Sequence, residues 1–195
     1  VALEAYHYFG RGLSNAGDIN RDGIPDLMVG AYYANYNHCG FIYFVCLNAD
    51  GTVLNYRRIG EGRGWDFTGL STNYYFGWSG AYLGDLNGDG YEDYACGLNY
   101  NGSRGAIEVL FMDSTAAYPN QNGVVMDWTK ITEGYGNFTE TLDAGDQLGY
   151  AVANVGDFDG NGVDDLLVGA KRDDDGGTNR GAVYLLYMND DAEVD

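Results

Sequence analysis

The sequence predicts an all-β chain of three four-stranded units in series, forming an incomplete arc of a β-propeller or a propeller-like repeat array. Three observations carry that reading. One acidic nine-residue stretch is written three times, at 18–26, 85–93 and 157–165. The pattern around it recurs 67 residues on, from Gly10 to Gly77, and 72 residues on, from Gly77 to Gly149. Self-similarity at such spacing marks a repeat architecture. The composition supplies 31 Gly, 18 Tyr and 8 Phe but only 2 Pro among 195 residues, which suits many short strands joined by turns. No stretch carries a helical period strong enough to predict a helix.

Each unit opens on Phe9-Gly10, Phe76-Gly77 or Leu148-Gly149. A first strand, Phe9 to Ala16 in the first unit, runs from there into the acidic stretch. The stretch begins eight residues after the Gly and directly after Gly17, Gly84 or Gly156. The second strand is the run 26–31, 93–98 or 165–170, apolar almost throughout, as in strands buried on both faces. The third opens on Gly40, Gly105 or Gly181 and is rich in β-branched and aromatic residues, which favour a pleated surface. The fourth is Val53 to Ile59 in the first unit and Val125 to Ile131 in the second. In the third unit, 189–194 aligns with 48–53, so the chain is expected to stop where its fourth strand begins. The units divide as 1–62, 63–134 and 135–195. Three blades fall below the usual four to eight of a propeller. The chain is therefore expected to be a segment of a longer repeat protein, or a subunit completed by neighbours end to end.

The acidic stretch has the chemistry of a cation loop. Asp18, Asn20, Asp22 and Asp26 stand at positions 1, 3, 5 and 9 of the first copy. Asp85, Asn87, Asp89 and Asp93 do so in the second, and Asp157, Asp159, Asn161 and Asp165 in the third. Calcium takes six to eight oxygens, and alternate residues of a tight loop can converge on one ion. The main-chain carbonyl at position 7, of Ile24, Tyr91 or Val163, is a further candidate ligand. Gly at position 6 permits the sharp bend over the ion. Position 12 is Val29, Cys96 or Val168, not the bidentate Glu of an EF-hand, and no flanking helices are expected. A plain acidic turn without metal is the alternative. Three copies in register, each followed by the same apolar run, favour three calcium sites.

Phe-Gly, then Gly-Asp-x-Asn/Asp-x-Asp-Gly-x-x-Asp-Leu-x-Val-Gly-Ala, then Gly-x-Val-Tyr resembles the FG-GAP repeat of integrin alpha-chain propellers, and the likeness covers almost the whole chain. The third unit matches best. Its segment 173–184 is similar to tandem FG-GAP proteins of microbial cell surfaces. Leu148 in place of Phe, Cys96 and Leu98 in the second strand, and Glu108 in place of the third-strand Tyr depart from the pattern. The resemblance implies calcium-binding blades residue by residue, and adhesion at the level of the family.

Charge and composition exclude other classes. The formal charge is −19; three divalent ions would add +6 and leave −13. That opposes nucleic acid and anionic membrane as partners. No apolar run is long enough to span a bilayer, so no membrane insertion is expected. Cys39, Cys46 and Cys96 are an odd count, which fits buried free thiols or a bond from Cys39 to another chain. Cys39 and Cys46 are too far apart along one strand to pair. Asn101 and Asn137 open N-glycosylation sequons. His7 and His38 neighbour no nucleophile motif and read as ordinary surface or strand-end residues, and no catalytic motif is present. Tyr32, Tyr33, Tyr36, Tyr74 and Tyr75 fall in loops or at strand ends, where they fill the core or form a sugar- or protein-contact surface. Asp173–Asp175 reads as a solvated loop tip.

The function expected is therefore a non-catalytic, calcium-stabilised structural or adhesion module, extracellular or at the cell surface. Its expected partners are neighbouring repeats or other copies end to end, and an extracellular protein or polysaccharide. The alternative is a carbohydrate-binding propeller, a lectin or the non-catalytic scaffold of a polysaccharide-active enzyme.

Overall fold

The computed structural model describes residues 6–34, 37–60, 73–99, 104–112 and 125–195. They form eleven strands in three antiparallel sheets that do not close on one another, with no helix among the described residues. The first sheet orders β1 (Phe9–Asn15), β2 (Leu27–Ala31), β3 (Phe41–Leu47) and β4 (Val53–Ile59) side by side. The second repeats this with β5 (Phe76–Gly84), β6 (Asp93–Leu98), β7 (Ala106–Met112) and β8 (Val125–Ile131). The third pairs β9 (Leu148–Gly156), β10 (Asp165–Ala170) and β11 (Ala182–Leu186). The all-β blade expectation holds, and both complete fourth strands have their expected bounds. The first strand ends one residue early, at Asn15.

After β11 the chain makes the turn that follows β3 in the first sheet, up to the position where a fourth strand begins. Met188 bridges Val194, and the Asn189 N–H donates to the Glu193 carbonyl at 3.0 Å. The same closure joins Asn48 to Thr52 at 2.8 Å in the first sheet, so the aligned segments fold alike.

Phe-Gly marks a bulge. Gly10, Gly77 and Gly149 take φ of 92°, 81° and 81°, a region costly to residues with a Cβ. In each sheet the pairing of first and second strands shifts register beside that Gly. The bulge turns the strand start toward the preceding sheet. Phe76 forms a parallel bridge to Gly40, and Leu148 one to Gly105.

Consecutive sheets stack face to face through their central strands. Met28, Ile42 and Phe44 of the first sheet bury against Tyr94, Cys96 and Leu110 of the second. Ala95, Ile107 and Val109 on the other face of the second sheet join Leu148, Leu166 and Val168 of the third. Each fully buried aliphatic there contributes roughly 1.5–3 kcal/mol. Both faces of β6 and β7 are covered, which explains their unbroken apolar run.

Candidate metal centres

All three acidic loops fold the same way, as hairpin turns joining first and second strands. The bend falls at position 6, where Gly23, Gly90 and Gly162 take φ of 88°, 91° and 95°. The position-1 carboxylate accepts the N–H of that Gly: Asp18 from Gly23 at 2.7 Å, Asp85 from Gly90 at 2.8 Å, Asp157 from Gly162 at 3.0 Å. The position-3 side chain accepts the position-5 N–H, at 3.1 Å for Asn20, 3.0 Å for Asn87 and 3.0 Å for Asp159. The position-5 side chain accepts the position-7 N–H, at 2.9 Å for Asp22, 2.9 Å for Asp89 and 2.8 Å for Asn161. Backbone amides thus fix the orientation of these side-chain oxygens.

Position 9 has a second task that the sequence did not reveal. Asp26, Asp93 and Asp165 are buried. Each accepts the position-2 N–H, from Ile19, Leu86 or Phe158, at 2.8–3.1 Å. Each also accepts an N–H from the end of the third strand or just beyond it, from Leu47, Met112 or Met188, at 2.9–3.1 Å. One carboxylate therefore ties the loop to the third strand. Burial pushes the Asp26 carboxyl above its ordinary pKa. It pushes Asp93 up to about 6, against the opposing pull of the Met112 and Leu86 amides. A cation beside either group would favour its ionised form.

The loops differ in how many carboxylates meet. Oxygens of Asp157, Asp159 and Asp165 lie within 4.8 Å of one another, and this is the one such group of acidic, His or Cys side chains among the described residues. In the first two loops position 3 is Asn. Its amide donates to the position-5 carboxylate, at 2.8 Å from Asn20 to Asp22 and 3.2 Å from Asn87 to Asp89. Oxygens alone, several of them ionised, fit a hard cation, so the donor set fits calcium.

The first two loops also touch. The Arg21 guanidinium donates to the Gly90 carbonyl at 2.7 Å and lies 4.8 Å from the Tyr91 ring centroid.

The remaining candidates separate. Tyr32, Tyr33 and Tyr75 come together with Tyr8, Trp78 and His38 in one aromatic cluster. Tyr74 stands apart, under the Lys130 ammonium, and Tyr36 lies outside the described residues. Arg11 covers the Trp78 ring at 4.4 Å, and Lys171 the Tyr150 ring at 4.5 Å. His38 stacks on Tyr33, with Nδ1 3.2 Å from Asn73 Oδ1. His7 is buried, not on the surface. Cys39, Cys46 and Cys96 are buried and form no disulfide with one another; the Cys46 thiol is pushed up to about 12 by burial and Asp26. The Asn137 side chain is exposed and donates to Glu193 at 2.9 Å; Asn101 lies outside the described residues. Within 173–175, Asp173 is buried and accepts the Tyr184 hydroxyl at 2.6 Å, so that segment is not wholly a solvated tip.

Comparison with known proteins matches residues 9–44 and 148–186 to the FG-GAP repeat. Mouse integrin alpha-8 is 31% identical over 160 residues, 78% of this chain and 14% of its own length. Human integrin alpha-7 is 34% identical over 170 residues, 85% of this chain and 12% of its length. Drosophila integrin alpha-PS2 is 30% identical over 175 residues, 86% of this chain and 12% of its length. The chain thus spans about an eighth of the relatives it matches. With the first and third units matched, the blade topology common to all three sheets, and relatives aligned across most of the sequence, the chain belongs to the FG-GAP repeat family in its integrin-alpha-like form.

Proposed function

We propose that this chain is a calcium-stabilised, non-catalytic structural or adhesion module, extracellular or at the cell surface, divided into repeats at 1–62, 63–134 and 135–195. Three calcium ions would sit one per hairpin. The first would be held by Asp18, Asn20, Asp22, Asp26 and the Ile24 carbonyl. The second would be held by Asp85, Asn87, Asp89, Asp93 and the Tyr91 carbonyl, and the third by Asp157, Asp159, Asn161, Asp165 and the Val163 carbonyl. The ion supplies positive charge that lets crowded carboxylates stay ionised beside one another. The chain's own part is to hold those oxygens in place with the loop amides.

One observation carries this reading: the same amide-to-side-chain pattern at positions 1, 3, 5 and 9 of all three hairpins. The extracellular assignment follows from chemistry as well as kinship, since extracellular modules of low calcium affinity, about 10⁻⁴–10⁻³ M, suit a millimolar calcium supply. Its partners would be further repeats end to end and an extracellular protein or polysaccharide. Calorimetric titration tests the sites. A stoichiometry of three is expected for the chain and two for Asp159→Ala; absence of binding at millimolar calcium contradicts the proposal.

The aromatic cluster of Tyr8, Tyr32, Tyr33 and Tyr75 favours a second reading, carbohydrate binding, because sugar rings stack on such side chains. Sugar-dependent binding on a glycan array, lost in Tyr8→Ala, would support it.

A further inference from the structure

The three acidic loops differ at position 4. Gly88 and Gly160 hold that place in the second and third loops, at φ of 75° and 85°. A Cβ on either would meet nothing within 4 Å. Conformation rather than crowding therefore favours glycine there, since left-handed backbone is costly to a residue with a Cβ. The first loop has Arg21 in the same conformation, at φ 60°. A residue kept in a sparsely populated region needs support from its surroundings, and such residues gather at functional sites.

The support comes from the loop of the next sheet. The Arg21 guanidinium donates to the Gly90 carbonyl at 2.7 Å and stands 4.8 Å from the Tyr91 ring centroid. A charge-assisted hydrogen bond and a cation–π contact thus converge on one side chain. The peptide between Gly90 and Tyr91 is held at both ends, its carbonyl by Arg21 and its N–H by the Asp89 carboxylate at 2.9 Å. Tyr91 carries the main-chain carbonyl proposed above for the second ion. On its own side, Arg21 lies between Asn20 and Asp22, two side chains of the first ion's set. Its backbone N–H donates to the Asp18 carbonyl at 3.2 Å. One side chain therefore runs from the middle of one hairpin to the bend of the next. Gly88 has no side chain with which to reach the third loop.

We propose that Arg21 couples the first two hairpins, so that an ion in either raises the affinity of the other, while the third hairpin fills independently. Arg21 can do this only where the hairpins bind calcium as proposed above. An ion in the first loop restrains residues 20–22 and with them the root of the Arg21 side chain. The ordering cost of its contact with Gly90 is then met before the second ion arrives, and linkage makes the effect reciprocal. Charge alone gives the opposite sign. A divalent ion in the first loop, and the Arg21 cation itself, repel an ion arriving at the second. Salt damps that repulsion, with a screening length of about 8 Å at 0.15 M, and leaves the ordering effect in place. The sign of the coupling therefore separates the two.

The test is calcium titration at about 0.15 M salt of Asp159→Ala, which leaves the first two loops intact, beside the same chain carrying Arg21→Gly as well. Glycine is what the other two loops have at position 4, so the turn is kept. Asp159→Ala is expected to take two ions with a Hill coefficient above about 1. Adding Arg21→Gly is expected to bring that coefficient to about 1 or below and to weaken the second ion's binding at least about fivefold, although a positive charge has been removed. Asp22→Ala, which disables the first loop and leaves the second and third, is expected to fill without cooperativity. Independent binding by Asp159→Ala, calcium held as tightly or more tightly after Arg21→Gly, or cooperativity in Asp22→Ala would overturn the coupling and leave the metal sites standing. No binding by any of these chains at millimolar calcium would overturn the metal sites and the coupling together.

Discussion

Asp26 shows what one carboxylate does in this fold. It accepts backbone amides of Ile19 and Leu47, from two segments that have no other reason to meet. Removing it leaves the part-buried Leu47 amide without its acceptor, a loss of about 1–3 kcal/mol. Asp26→Ala is expected to lower unfolding stability by at least that amount even in chelator, where no metal contributes; denaturant unfolding measures it. Asp22→Ala removes an exposed side chain and in chelator should stay within about 0.5 kcal/mol of the parent. Equal effects of the two would refute the tie between loop and third strand.

Glu108 is the other residue with an energetic signature. It sits in the interface between first and second sheets, at the position Tyr43 and Tyr184 hold elsewhere. Its Oε2 has no hydrogen-bond partner, and burial pushes its carboxyl up to about 7 despite Lys130. Its pKa is raised on folding, so the folded chain keeps a proton that the unfolded chain has lost between about 4.5 and about 7. Stability from this group is full below the lower value and is lost as pH rises through the upper one. Glu108→Gln is expected to be more stable than the parent at pH 8, by about 1 kcal/mol or more, and to flatten the stability profile between pH 5 and pH 8. A parent profile with no such fall would contradict this.

At the level of elements, the strands were readable because their period, glycines and acidic turns all agreed. Val53–Ile59 and Val125–Ile131 were placed without error from alternation and alignment. The junction glycines were not readable as such. Gly97 and Gly169 look identical in sequence, yet only Gly97 has a carbonyl pressed against it. Gly97→Ala is expected to destabilise the chain by about 2 kcal/mol or more, since backbone on both sides must shift. Gly169→Ala should be neutral within about 0.5 kcal/mol; thermal melts of the two variants compare them. The metal loops were legible at positions 1, 3, 5 and 9 because alternation along a tight turn is a local rule. The tie from position 9 to Leu47, Met112 and Met188 spans about twenty residues, and no local pattern encodes it. The Arg21 contact to Gly90 links two repeats and was equally hidden.

For the whole molecule, the −19 charge and the three hairpins make one statement. Unfilled, the loops add carboxylate repulsion to a strongly acidic chain; filled, they lose it. The blade scaffold was legible from the repeat. Binding to the folded chain alone stabilises it by RT ln(1 + [L]/Kd) per site. At about 1 mM calcium and a Kd of about 10⁻⁴ M, each site contributes about 1.4 kcal/mol, and three about 4 kcal/mol. For a chain of this size that corresponds to a Tm shift of about 10 °C.

The most direct measurement is thermal unfolding of one preparation, divided between millimolar calcium and excess chelator at fixed ionic strength. A Tm lower by about 10 °C in chelator, restored on adding calcium back, is the expected result. Superimposable melting curves in the two buffers would contradict calcium as the ion that holds these hairpins.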